Sequence, residues 1–264
     1  MSEIPQGYEQ AAIGGAIVVA RKAQLEALCS VVGSETLYEY AARHPQARPL
    51  AGRGVAYAVP LPGGERVVVR HNRHGGLFAP ITGDRFLAPT RAPRELEAAL
   101  RLTACGVPTP EIVAYVVYEA GPLFRRSDVA SREVPDSADL AVVLTGGAAP
   151  ERRASLEAAT SLIARLSACG ARHHDLNVKN VLLAPRAGAA PTAYVLDVDR
   201  VEFGRPGDSR VTEGNLERFM RSARKWRALH DARVDEAELA RVAASVRRFV
   251  ASRSSSGVPE STRS

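Results

Sequence analysis

The residues best placed to do chemistry are His173-His174-Asp175-Leu176-Asn177-Val178-Lys179-Asn180, which read H-x-D-L-N-x-x-N. They follow a helical segment and precede the apolar pair Leu182-Leu183. An aspartate in such a loop orients an attacking hydroxyl and accepts its proton. An asparagine five residues on can turn back to ligate magnesium while the chain between them wraps a phosphate. A second carboxylate, Asp197, ends the apolar run Tyr194–Leu196 and offers hard oxygens to a hard cation. Asp175 is therefore the catalytic candidate, and Asn180 and Asp197 are the metal candidates. Lys179 can bring positive charge to a terminal phosphate. His173 reads as a structural part of the loop, because the aspartate already fills the role of base. The bland alternatives are a polar loop at a helix end and an aspartate that merely caps a turn.

Elements upstream supply a phosphate site. Gly52-Arg53-Gly54 is a turn signal before the strand Val55–Val59, and Pro62-Gly63-Gly64 turns the chain into the returning strand Glu65–Arg70. The backbone N–H groups of Gly52 and Gly54 can approach nucleotide phosphates. Arg70 ends the returning strand. The chain has only three lysines, Lys22, Lys179 and Lys225, among 35 basic residues, so an arginine must serve there. Guanidinium is planar, always charged and forks onto phosphate. Pro93–Cys105 carries Leu96, Ala99, Leu100 and Ala104 at helical spacing, and Gly106 and Pro108 stop it. Glu95 on this helix is the candidate partner of Arg70. Glu97 is the competitor, but two residues turn about 200° around a helix, so both cannot face one side.

The chain has 264 residues, 45% hydrophobic and 24% charged, which excludes wholesale disorder. No apolar run reaches the roughly 18–20 residues of a membrane span. Ala11–Ala20 is too short and lacks a basic segment before it, so the expectation is a cytoplasmic, soluble or peripheral protein. Cys29, Cys105 and Cys169 are scattered, odd in number and form no CxxC. They read as buried free thiols in a reducing compartment. A net charge of +6 suits nucleic acid, anionic lipid or phosphorylated substrates without choosing among them.

Ile13–Val19 reads as a strand and Gln24–Val32 as a short helix; Ile112–Tyr118 and Ser127–Val134 are two further strands. After Pro135 the texture is helical, over Glu151–Ala168, Glu213–Leu229 and Glu236–Ala251. The fold class expected is α+β and bilobal. Residues 1–134 form a β-rich lobe with one main helix that binds nucleotide phosphates. Residues 135–252 form an α-rich lobe with the catalytic loop and metal site, and residues 253–264 form a disordered tail.

H-x-D-L-N-x-x-N is similar to the catalytic loop of the protein-kinase-like fold. The ordered set of segments resembles the lipopolysaccharide kinase family. Val69-Arg70-His71-Asn72-Arg73-His74-Gly75-Gly76-Leu77 is similar to its R-H-x-x-R-G-G-L stretch, in which arginine stands in for the kinase lysine. Residues 95–110, Leu196-Asp197-Val198-Asp199-Arg200 and the helical run from Asn215 to Ser222 match further family segments. Val198 stands where the family has Phe, and His74 where it has Arg or Lys. The resemblance implies ATP- and magnesium-dependent phosphorylation of the 4-hydroxyl of a 3-deoxy-D-manno-octulosonic acid (Kdo) sugar. The acceptor would be Kdo–lipid A, at the cytoplasmic face of a Gram-negative inner membrane. Arg73, His74 and Asn177 are the candidate substrate contacts, and the basic segment Arg70–Arg85 with Arg125, Arg126 and His71 suits anionic groups.

Other readings stay open at this stage. One is a heptose kinase acting on the lipopolysaccharide core. Another is a small-molecule phosphotransferase of the aminoglycoside or choline type, although those take cationic substrates. The last is a pseudokinase or basic nucleic-acid-binding module. Nucleic acid is not expected, because only Phe78 and Phe86 could stack near the basic loop.

Overall fold

The computed structural model describes residues 3–50, 55–71, 86–87, 90–121 and 124–255, with backbone alone at 86–87 and 254–255. The expected disordered tail lies outside these residues beyond Ser255, and helix extends to Ser255 rather than ending at Ala251. The chain divides into two compact units. The first is Met1–Ala99 with Pro110–Glu133, and the second is Leu100–Thr109 with Val134–Ser264.

The first unit is built on one antiparallel sheet. Strands β1 (Tyr8–Ile13) and β2 (Ala16–Arg21) form a hairpin. Sequence reading predicts one strand over Ile13–Val19. The structure turns there instead, because Gly14 and Gly15 both take positive φ, a conformation glycine adopts without steric cost. Helices α1 (Leu25–Val32) and α2 (Leu37–Arg43) follow. Helix α2, unforeseen in the sequence, is only seven residues long and is started by Thr36 and Glu39 in a capping box. Strands β3 (Arg48–Leu50), β4 (Ala56–Pro60), β5 (Arg66–His71) and β6 (Phe86–Leu87) come next, then helix α3 (Ala92–Ala104) and strands β7 (Ile112–Glu119) and β8 (Phe124–Arg132). The sheet order is β1-β2-β7-β8-β5-β4-β3, with β6 also on β8. One core gathers Val18, Val59, Val67, Val69, Val113 and Val116 with Leu28, Leu37 and Ala41 of the two short helices. The β5–β8 register sets Arg70 opposite Val129 and His71 opposite Asp128.

The second unit contains β9 (Ala138–Asp139), α4 (Leu140–Gly146), α5 (Ala149–Ala168), β10 (Ala171–His173), β11 (Val181–Arg186), β12 (Ala189–Val195), β13 (Val201–Phe203), α6 (Ser209–His230) and α7 (Glu236–Ser255). Helix α5 is its centre, burying Leu156, Ala159, Leu162, Ile163 and Leu166. It packs on α6, α7 and β12. Gly170 carries the chain from α5 into β10 at φ +76°, where an added Cβ would lie 2.7 Å from the Gly204 carbonyl oxygen. Only glycine fits that turn. Residues Leu100–Thr109 belong here because β12 holds them. Val195 N donates to the Pro108 carbonyl at 3.0 Å, and Thr109 Oγ1 donates to the Val195 carbonyl at 3.0 Å.

The cysteines correct the sequence reading. Cys105, just past α3, and Cys169, the C-cap of α5, are joined in a disulfide with Cα atoms 6.0 Å apart and a sequence separation of 64. Their distance along the chain hid a closeness that the tertiary fold creates. Cys29 alone is a free thiol, partly buried, and desolvation raises its pKa. Cysteine usage therefore gives no argument for a reducing compartment.

A cross-link of this span stabilises mainly by restricting the unfolded chain, by about 4 kcal/mol in the loop-entropy model. Reduction is expected to lower the unfolding midpoint of the second unit in urea. A Cys105→Ser, Cys169→Ser variant should start at the lower midpoint and not respond to reductant. An equal response of variant and parent would contradict the assignment.

Candidate active site

In the first unit, Arg70 and Glu95 form an ion pair. Glu95 is 3% exposed on the inner side of α3, whereas Glu97 faces solvent. Burial makes this pair consequential, since removing one partner leaves the other charge desolvated. The end of β5 is fixed from behind by a group that sequence reading missed. Asp128, fully buried on β8, meets His71 Nδ1 at 2.5 Å through one oxygen and accepts the Tyr38 N–H at 3.0 Å through the other. Its signal in the sequence was slight: the strand FRRSDVASR is mostly polar, and Asp128 is its one acid. Burial pushes the nearby Tyr118 phenol far up, with the Asp128 charge adding to the effect. Tyr118 in turn accepts the Leu37 N–H at the start of α2. Gly52, Gly54, Arg73 and His74 lie outside the described residues.

In the second unit, the loop after β10 is organised by His173. The ring is fully buried. Its Nδ1 accepts the Asp175 N–H at 3.1 Å, which leaves Nε2 to donate to the Leu196 carbonyl at 2.9 Å. Desolvation lowers its pKa, partly opposed by the Leu196 hydrogen bond and the charges of Asp197, Asp175 and Asp199. A neutral ring with both nitrogens committed is a structural strut, not a base.

Asn177 shapes the turn that follows. Its Oδ1 accepts the N–H groups of Lys179 and Asn180 at 2.9 and 3.1 Å, and its Nδ2 donates to the Asp175 carbonyl at 3.0 Å. Asn180 Nδ2 donates to the same carbonyl at 2.9 Å. Asp175 is thus held through its backbone by three side chains, while its carboxylate side is partly exposed.

The β11–β12 register brings the two metal candidates together. Val181 pairs with Val195, and Leu196 N donates to the Asn180 carbonyl at 2.9 Å. Asn180 enters β11 as Asp197 leaves β12. Asp197 takes a left-handed backbone, φ +54°, and is exposed. Backbones of this kind recur at functional sites, and aspartate tolerates them. Val198, in place of the expected aromatic, is buried behind it. Among the described residues no three His, Cys, Asp or Glu side chains gather as a metal cage. Two protein oxygen donors beside a nucleotide's phosphates suit magnesium, which keeps few protein ligands.

Helix α6 grips this loop along one edge. Asn215 is fully buried. Its Oδ1 accepts the His173 N–H at 2.9 Å, and its Nδ2 donates to the Ala171 carbonyl at 2.9 Å and to Ser167 Oγ at 3.2 Å. Ser222 Oγ accepts the Val178 N–H at 3.2 Å. The Trp226 ring lies under Lys179, with Nζ 5.6 Å from its centroid. Asn215, Ser222 and Trp226 follow the helical stride of seven and four. Sequence reading gave them no individual role. The signal was present: polar residues interrupt the buried stripe of Val211, Leu216, Phe219 and Ala223.

Asn215→Ala leaves the His173 N–H and Ala171 carbonyl buried without partners, at about 1–3 kcal/mol each for such groups. Urea unfolding should show a loss in that range, with Ser222→Ala distinctly milder. The His173 ring also sets a pH dependence. It stays neutral in the fold, whereas an unfolded chain protonates it below about pH 6.5. The unfolded state then binds more protons, so stability is full above that value and is lost as pH falls toward the lowered folded value. Chemical denaturation from pH 8 to 5 should show this decline, and His173→Gln should flatten it.

The family model described as "Lipopolysaccharide kinase (Kdo/WaaP) family" matches residues 47–245. The chain is 30% identical over 179 residues to a 3-deoxy-D-manno-octulosonic acid kinase of Vibrio parahaemolyticus serotype O3:K6, covering 66% of this chain and 71% of that protein. It is 29% identical over 180 residues to a protein of the same name from Xylella fastidiosa, covering 67% and 68%. A solved structure of WaaP in complex with acyl carrier protein superposes with TM-score 0.54 at 18% identity, over 86% of this chain and 93% of that one, and so shares the fold. The mixed helix and strand structure is thus the bilobal kinase-like fold. With a family match spanning β3 to α7, including Arg70, Glu95, Asp175, Asn180 and Asp197, the chain belongs to the lipopolysaccharide kinase (Kdo/WaaP) family and is a kinase.

Proposed function

We propose that this kinase transfers the γ-phosphate of ATP to the 4-hydroxyl of the Kdo sugar in Kdo–lipid A, at the cytoplasmic face of the inner membrane. One observation carries the reading. The loop bearing Asp175 is tied, through His173 and Asn180, to the strand end that presents Asp197. A base and two oxygen donors are thereby set in one rigid frame, as in-line transfer to a hydroxyl requires. The names of the relatives supply the sugar. Among the described residues no helix is long and apolar enough to cross a membrane, which accords with a peripheral enzyme.

Asp175 orients the sugar hydroxyl and takes its proton late, as the new O–P bond forms and the bond to ADP breaks. Arg70, held by Glu95, offsets charge on the nucleotide's phosphates, and Lys179 adds charge at the γ-phosphate. Gly52 and Gly54 contribute backbone N–H groups, and Arg73 and His74 meet the anionic acceptor. Asn177 acts on the acceptor by holding the loop's shape. Magnesium, held by Asn180 and Asp197, would withdraw charge from the transferring phosphoryl group. Residues 1–134 act as the phosphate-binding lobe and residues 135–252 as the lobe of the catalytic loop.

The test is transfer of labelled γ-phosphate from Mg·ATP to purified Kdo–lipid A precursor, with the product mapped by NMR. Label should appear on the 4-oxygen of Kdo. Asp175→Ala should lower the rate by at least about a thousandfold. Arg70→Lys should lose about tenfold or more, since a point charge does not fork onto phosphate and carboxylate. Transfer to a heptose-containing core and not to Kdo would move the substrate within the family. Transfer to neither would overturn the reading.

A further inference from the structure

The outer edge of α6 beside the catalytic loop has a charge asymmetry that the phosphoryl-transfer chemistry does not use. On one flank the arginines are neutralised. Arg221 pairs with Glu217, and Arg224 and Arg227 both pair with Glu236. On the flank next to the loop, Arg218 and Lys225 are exposed and have no acidic partner among the described residues. They are seven residues apart, and Leu229 follows four later, so the three align within about 40° on the helix. Leu229 is 64% exposed. The adjacent line of the same helix carries Ser222 and Trp226, which grip the loop through Val178 and Lys179. Lys179 is itself exposed, and the half-buried Trp226 stacks on His230 with centroids 4.2 Å apart. Helix α4 packs against the same Val178–Asn180 turn and exposes Val142 to 57%. Of the five exposed large hydrophobic residues among those described, Leu229 and Val142 thus both flank elements that hold this turn.

Unpaired cations beside a tryptophan, with an exposed leucine on the same line of the helix, match the chemistry of an interface between water and anionic lipid. Indole favours the headgroup level, and Lys and Arg snorkel to phosphates. We propose that this face, formed by Arg218, Lys225, Trp226 and Leu229, docks the second unit onto an anionic phospholipid bilayer beside the catalytic loop. The proposal rests on the lipid-linked acceptor named above and assigns where the membrane meets the protein. A few Lys and Arg near such a surface give weak, reversible and salt-sensitive attachment.

Trp226 is the only tryptophan in the chain, so its fluorescence reports on this face alone. The full chain is titrated with vesicles of phosphatidylethanolamine and phosphatidylglycerol, and with phosphatidylcholine alone. Co-sedimentation and a blue shift of Trp226 emission are expected with the anionic vesicles only, and both should be suppressed at about 0.5 M salt. The variant Arg218→Glu, Lys225→Glu, Leu229→Asp changes only exposed side chains. It should bind anionic vesicles at least about tenfold more weakly, and phosphorylate vesicle-embedded acceptor correspondingly less. It should act within about twofold of the parent on a water-soluble, deacylated acceptor. Undiminished vesicle binding by the variant would overturn the proposal, as would co-sedimentation of the parent with no change in Trp226 emission. Vesicle binding is read without phosphate transfer, so docking without transfer to Kdo–lipid A would support the surface while removing the proposed acceptor.

Discussion

The buried imidazole of His173 is the constraint on which the site depends. It has no water to satisfy it, so both ring nitrogens must find partners inside the protein. One takes the backbone N–H of Asp175 and the other gives its proton to Leu196. Two chain segments some twenty residues apart are thereby locked together, one carrying Asp175, the proposed base, and the other ending in Asp197. Desolvation keeps the ring neutral, which is the only state in which this double contact exists. A carboxylate in water would do poor work as a positioned base. Here the Asp175 backbone is held by three side chains, and in the proposed reaction such preorganisation would lower a barrier made mostly of orientation and charge.

Sheet register does the remaining alignment. Antiparallel pairing of Val181 with Val195 makes Asn180 and Asp197 neighbours without either side chain contributing to the pairing. In the first unit, pairing of β5 with β8 similarly sets His71 on the buried Asp128 and leaves Arg70 to Glu95. Each half-site is thus a property of one unit's own hydrogen bonding. Helix α6 then serves two purposes along adjacent lines of one surface. Its Asn215, Ser222 and Trp226 brace the loop, and its unpaired Arg218 and Lys225 face outward.

Much of the site was legible because its parts are short and local. H-x-D-L-N-x-x-N spans eight residues, and a hydrophobic run ending in aspartate marks Asp197. Helical geometry required that Glu95 and Glu97 face different sides, and burial separates the two, with Glu95 buried and Glu97 exposed. What stayed hidden is long-range. Nothing local announces that Cys105 meets Cys169, that Asp128 backs β5, or that Asn215 supports His173 across more than forty residues. The part Asn177 plays in shaping the loop was also hidden, since its bonds to the Lys179 and Asn180 N–H groups and the Asp175 carbonyl exist only once the turn forms. Short helices such as α2 and α4 escaped because seven residues give too few turns for periodicity to show.

The most direct test separates the two roles that this frame assigns to its carboxylates. Calorimetric binding of Mg·ATP and Kdo phosphorylation are measured in parallel for Asp175→Asn and Asp197→Asn. If Asp175 acts on the acceptor hydroxyl and Asp197 on the nucleotide's metal, Asp175→Asn binds Mg·ATP within about twofold of the parent yet fails in transfer. Asp197→Asn then loses at least about tenfold in Mg·ATP affinity as well as transfer. Near-normal transfer by Asp175→Asn, or unchanged Mg·ATP binding by Asp197→Asn, would contradict the account.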